Sequence, residues 1–156
     1  MGLENWPAPS IPAAVITYLQ SAMANSMGIT PTNPGFWKKY SPEVPLPYGV
    51  VKLVGSESYR FASNDPSQAG FYNEIIANGF LSIAFTAVSE AQVFALARLC
   101  VRVCVDTVAT FSSLDGTTLE LRPVSSNDEE TTDTGPGTAT VFRRIVMVQY
   151  TQQFEV

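Results

Sequence analysis

Apolar positions along the chain follow two rhythms, one near three and a half residues and one of two. Between Ile11 and Met27 the residues Val15, Ile16, Leu19, Ala22 and Met23 recur at three-four spacing and form one stripe of a helix. Ser10 stands where it can cap that helix. Pro12 falls in its first turn, where a missing N–H costs nothing, and Gly28 follows as a stop. The period then lapses. Residues 28–47 hold Pro31, Pro34, Pro42, Pro45 and Pro47 with Gly35, which rules out a regular helix or an interior strand and predicts an extended excursion. Phe36, Trp37 and Tyr40 inside it are too apolar for a solvated loop, so they are expected to pin the segment to its own domain or to a neighbour.

The period of two begins at Tyr48. Tyr48 to Gly55 is β-rich and bounded by Pro47 and a Gly-Ser turn, which predicts a strand. The polar stretch 56–70 reads as a loop or a loose hairpin tip. A second strand is expected from about Phe71 to Ala87, where Leu81, Ile83, Phe85 and Ala87 alternate with Phe80, Ser82, Ala84 and Thr86. Ser89 and Gln92 then fit a capping box for a helix running to about Val108, with Glu90 favouring its positive end. Val93, Ala97, Cys100, Cys104 and Val108 make one stripe, but Phe94, Leu96, Leu99, Val101, Val103 and Val105 cover much of the remaining circumference. A helix apolar nearly all round needs more than one packing surface. A turn at Asp115-Gly116, a strand over Leu119–Val124, a connection over 125–138 and a last strand or strand pair from Thr138 to Val156 complete the pattern. The expected fold is one α+β domain spanning 1–156, with a mixed or antiparallel sheet of about four strands and two helices packed on one face.

Composition narrows what such a domain does. The chain has 156 residues, enough for one core without disulfides or a metal, and is 46% hydrophobic against 15% charged, so some exposed apolar surface is expected. A net charge of −5 removes the Lys/Arg excess that carries most nucleic-acid binding. There is no histidine, which excludes the commonest general base, the usual triads and most zinc sites. Cys100 and Cys104 stand one helical turn apart and are expected to be buried, reduced thiols. The N-terminus has no basic start followed by an apolar core, and the apolar run 91–108 carries Arg98, Arg102 and Asp106, so neither a signal peptide nor a membrane span is expected.

Candidate chemistry is thin. Gly135-Pro136-Gly137 lacks the Lys-Ser/Thr of a phosphate loop, and its proline removes a donor. Asp128, Glu129, Glu130 and Asp133 lack the alternating ligands, central glycine and closing glutamate of a calcium loop, and read as a solvated acidic loop. Glu57 near Arg60 and Asp65 reads as loop charge, and Lys38-Lys39 beside Trp37 is too little for nucleic-acid recognition. No cofactor, metal site or catalytic residue is expected.

The N-terminal helix Ile11 to Met27, the strand entry Leu46-Pro47-Tyr48-Gly49-Val50-Val51, Ile75 to Thr86 followed by Ala91 to Val108, and the ending Val141-Phe142-Arg143-Arg144-Ile145-Val146-Met147-Val148-Gln149-Tyr150 together resemble the tail terminator and tail-completion proteins of long-tailed bacteriophages. The resemblance covers most of the chain as a pattern of residue classes. It implies a homo-oligomeric ring, commonly a hexamer, at the head-proximal end of the tail, assembled in the host cytoplasm and joined to tail tube protein and neck connectors, with DNA passing through unbound. On that reading Phe36, Trp37, Tyr40, Tyr59, Phe61 and Phe71 are subunit-interface candidates, and Asp128, Glu129, Glu130 and Asp133 face the channel or the tube. The excursion 28–47 and the polar stretch 56–70 depart from the family pattern. A different reading is a monomeric adaptor that recognises its partner through Phe36, Trp37 and Tyr40.

Overall fold

The computed structural model describes residues 11–39, 44–62, 74–105, 108–110, 118–129 and 140–155. Two helices, α1 (Ile11–Ala22) and α2 (Glu90–Val105), accompany six strands: β1 (Phe36–Trp37), β2 (Tyr48–Ala62), β3 (Glu74–Ala87), β4 (Val108–Thr110), β5 (Thr118–Glu129) and β6 (Phe142–Glu155). The strands form one sheet in the order β1-β2-β3-β6-β5-β4. Among the described residues only the β1–β2 pair is parallel, so the sheet is mixed and the fold is α+β.

Six strands replace the expected four because of two short edges that period-two counting does not register. β1 is two residues inside the proline-rich excursion, which edges against β2 through Phe36↔Gly49 and Trp37↔Val50. Proline forbids an interior strand but tolerates this, since an edge leaves one row of N–H groups unpaired. β4 begins where the helix was expected to continue, because α2 ends at Val105. The C-terminal β reading is one strand of 14 residues, not a pair. α1 ends at Ala22, and two further helical bonds, Met23 N–H to Leu19 O and Met27 N–H to Met23 O, lead the chain to Gly28.

Both helices lie on one face. Ala14, Val15 and Leu19 of α1 and Val93, Leu96, Ala97, Cys100 and Cys104 of α2 share a core with Leu81, Ile83, Phe85, Val146, Val148 and Tyr150. These sheet residues alternate along their strands, and Leu81↔Val148 and Ile83↔Val146 are register partners, so they project to one side. The Ser89 hydroxyl accepts the Gln92 N–H at 3.1 Å and starts α2 as its capping residues require. The wide apolar circumference of α2 is met partly by α1, whose Tyr18 hydroxyl donates to the Val103 carbonyl at 2.6 Å.

Among the described residues, the second face of the sheet is covered at one end. Tyr48 and Val50, which alternate with Gly49 and Val51, pack there with Val44, Leu46 and Trp37. The excursion thus crosses the sheet edge at β1 and folds back over the far side. Gly49 lies between the layers: a Cβ there would come within 2.6 Å of the Phe36 ring. Beyond Val54, β2 is interrupted by a bulge before Ser58, with Gly55 at φ +70°, a conformation that side chains disfavour. The strand then resumes to Ala62, where the sequence predicted a loop.

Candidate interaction surfaces

The aromatic residues of the excursion divide between the two faces. Phe36 is 2% exposed and meets Phe85 edge-on at 6.0 Å between centroids. It is therefore core and not the surface contact expected of it, because β1 registers Phe36 opposite Gly49, the one neighbour small enough to admit the ring. Trp37, next along the strand, turns to the opposite face and is half-buried against the Val44–Tyr48–Val50 group. Its indole N–H is buried and has no hydrogen-bond partner among the described residues. Of the two roles open to this segment, these two rings serve attachment to their own domain. Tyr40 lies outside the described residues, as do Phe71, Glu130 and Asp133.

The distal half of the β2–β3 hairpin presents a different surface. Tyr59 and Phe61 are 58% and 54% exposed, Leu53 is also exposed, and Val54 stands beside its register partner Phe80 with both exposed. Glu57 organises this region. The Tyr150 hydroxyl donates to its carboxylate, and Tyr150 lies across Gly79, where any side chain would collide with the ring. Burial first, then the Glu57 hydrogen bond and charge, hold the Tyr150 hydroxyl well above its ordinary pKa, and the same carboxylate raises that of Tyr59. Sequence reasoning read Glu57 as loop charge. The pairing that gives it a role spans 93 positions and has no local signature.

The acidic residues are also better ordered than a loop. Asp128 and Glu129 end β5 and register opposite Arg144 and Arg143 of β6. Arg144 donates to the Asp128 carboxylate at 2.6 Å and to the Ser126 hydroxyl at 2.8 Å. Its guanidinium stands 5.0 Å from the centre of the Phe94 ring, with that of Arg98 at 4.9 Å from the same ring. Arg143, on the other face, is buried and donates to Thr86 at 3.2 Å. Residues 128 and 129, expected in a solvated loop, are thus the exposed end of a strand, with Asp128 ion-paired to Arg144 across the ladder.

Among the described residues no group of three His, Cys, Asp or Glu side chains is placed to hold a metal, and no helix is long and apolar enough to cross a membrane. Cys100 and Cys104 are free, buried thiols in the core. The hydrogen bond between them, with burial, pushes the Cys100 thiol well above its ordinary pKa, which disfavours the reactive thiolate.

No protein-family model and no curated protein matches the chain. Solved structures do. One of them, which carries no functional name, is 14% identical, with the match covering 90% of this chain and 94% of that one at a TM-score of 0.50. At that identity the likeness concerns the fold alone: an arrangement of this kind recurs over nearly the whole chain.

Proposed function

We propose that the chain is a virion structural subunit of a tailed phage, forming a ring at the head-proximal end of the tail that caps the tail tube and joins the neck. The observation that supports this best is where the exposed apolar residues stand. Leu53, Tyr59 and Phe61 stand exposed on the helix-side face of β2, and Val54 with its register partner Phe80 on the opposite face, so the β2–β3 hairpin presents apolar side chains on both sides. A single exposed apolar side chain needs no explanation, whereas a grouped set marks a contact surface. The role asks for lateral contacts and a rigid sheet, not for catalytic groups. Tail tube protein and neck connectors are the proposed neighbours, with DNA passing through the ring unbound.

The adaptor reading through Phe36, Trp37 and Tyr40 loses support, since Phe36 is core and Trp37 is half-buried against its own sheet. Deleting the gene from a phage that carries it tests the proposal. The expected result is particles with unjoined heads and tails, or tails of uncontrolled length. Infectious particles with tails of normal length would overturn it.

A further inference from the structure

The outer face of α2 carries a stripe of four residues. Glu90, Phe94, Arg98 and Arg102 recur every fourth position, which sets them in one row along the helix, and all four are exposed, Phe94 to 42%. Arg98 and Arg102 are like charges one turn apart, an arrangement that weakens a helix by itself. Among the described residues neither they nor Glu90 forms an ion pair, so the conflict is not relieved within the chain.

Reversed, the stripe is its own complement. When two copies of α2 meet antiparallel about a twofold axis midway between Phe94 and Arg98, Glu90 of each copy faces Arg102 of the other, and Phe94 of each faces Arg98 of the other. Glu90 and Arg102 then stand about 9 Å to either side of the axis, within reach of each other's long side chains at the shallow crossing angles of bundled helices. Other arrangements leave a conflict. An axis at Arg98 sets that residue against itself, an axis at Phe94 leaves Arg102 without a carboxylate, and parallel pairing sets like on like. Phe94 suits an arginine neighbour: its ring already lies 4.9 Å from the Arg98 guanidinium and 5.0 Å from that of Arg144, and Arg98 of the second copy adds its aliphatic stem to the ring. Ala91 and Ala95, exposed beside the stripe, are small enough to let two helices approach.

We infer that this chain pairs with a second copy through α2, in a twofold contact with a Glu90–Arg102 ion pair at each end and Phe94 against Arg98 between them. Self-complementarity of this kind is what a twofold interface requires. The contact goes beyond the ring reading and does not depend on it: a ring repeats one lateral contact around its axis, whereas a twofold contact doubles whatever the other surfaces build.

The test follows the mass of the full chain by light scattering across concentration, and the expected result is a doubling of mass as concentration rises. Glu90→Arg and, separately, Arg102→Glu each place like charges at both ends of the contact and are expected to weaken the doubling at least about tenfold. An equimolar mixture of the two variants brings opposite charges back to both ends, as does Glu90→Arg/Arg102→Glu in one chain, and each is expected to restore it. Rescue in the mixture also shows that both single variants are folded, because their own helices are unchanged by mixing. Doubling indifferent to the swaps, or lost without rescue, overturns the twofold contact. A wild-type chain whose mass matches that of the single variants up to millimolar concentration overturns it as well. The gene-deletion phenotype decides the ring reading separately.

Discussion

Gly49 offers the sharpest check on how the excursion is held. Replacing it with alanine places a Cβ 2.6 Å and 2.7 Å from two carbons of the Phe36 ring and 3.6 Å from Phe85. Phe36 cannot withdraw freely, because its ring is held edge-on by Phe85 and its backbone is laddered to β2. Overpacking of this kind costs about 1–3 kcal/mol. The backbone itself is not the source of the cost, since alanine is intrinsically favoured over glycine in a strand by about 0.5–1 kcal/mol. Phe36→Ala alone should cost about 3–5 kcal/mol by opening a cavity. With the ring gone, Gly49→Ala should be neutral or stabilising, which gives a coupling of about 1–3 kcal/mol in a double-mutant cycle. Urea unfolding followed by circular dichroism measures all four proteins. Additivity within about 0.5 kcal/mol would show that Phe36 does not sit over Gly49, and the account of β1 as the clamp of the excursion would fail.

Three further outcomes are expected. Tyr150→Phe removes a hydrogen bond to a carboxylate and should cost about 1–2 kcal/mol in thermal or urea unfolding. Because the folded-state pKa of Tyr150 is raised, its contribution is full below the unfolded value near 10 and is lost as pH climbs past it; wild-type stability should fall with alkaline pH more steeply than that of Tyr150→Phe. Ser89→Ala should cost about 1 kcal/mol by uncapping α2, and loss of less than about 0.3 kcal/mol would show the cap to be idle. Cys100 and Cys104 should resist alkylation in the folded protein and react once it is unfolded; rapid labelling of either in native buffer would contradict their burial.

Much of the framework was legible because its signals are local. The stripe in α1, the Ser89 cap and the alternation through β3 and β6 each depend on residues within a turn or two of one another. What escaped detection depends on partners far along the chain. The run Ser56-Glu57-Ser58 reads as loop because it is polar throughout, and only pairing with Asn78 makes Ser58 part of a ladder. Asp128 and Glu129 read as a solvated loop because their register partners Arg144 and Arg143, the first of which is ion-paired with Asp128, stand more than a dozen positions away. The sequence leaves open whether Phe36 and Trp37 pin the excursion to its own domain or to a neighbour; what decides it for Phe36 is Gly49, whose significance appears only once β1 lies against it. Of the candidate surface residues, Tyr59 and Phe61 are exposed, Phe36 lies in the core, and Asp128 and Glu129 are register partners of Arg144 and Arg143.

The proposed place in the particle is tested most directly by locating the chain on purified phage. Gold-labelled antibody against the protein should mark tailed particles at a single position, where the tail meets the head, and the intact chain should be found among the particle proteins. Particles that lack the chain, or labelling spread along the tail or confined to its distal tip, would contradict the proposed role.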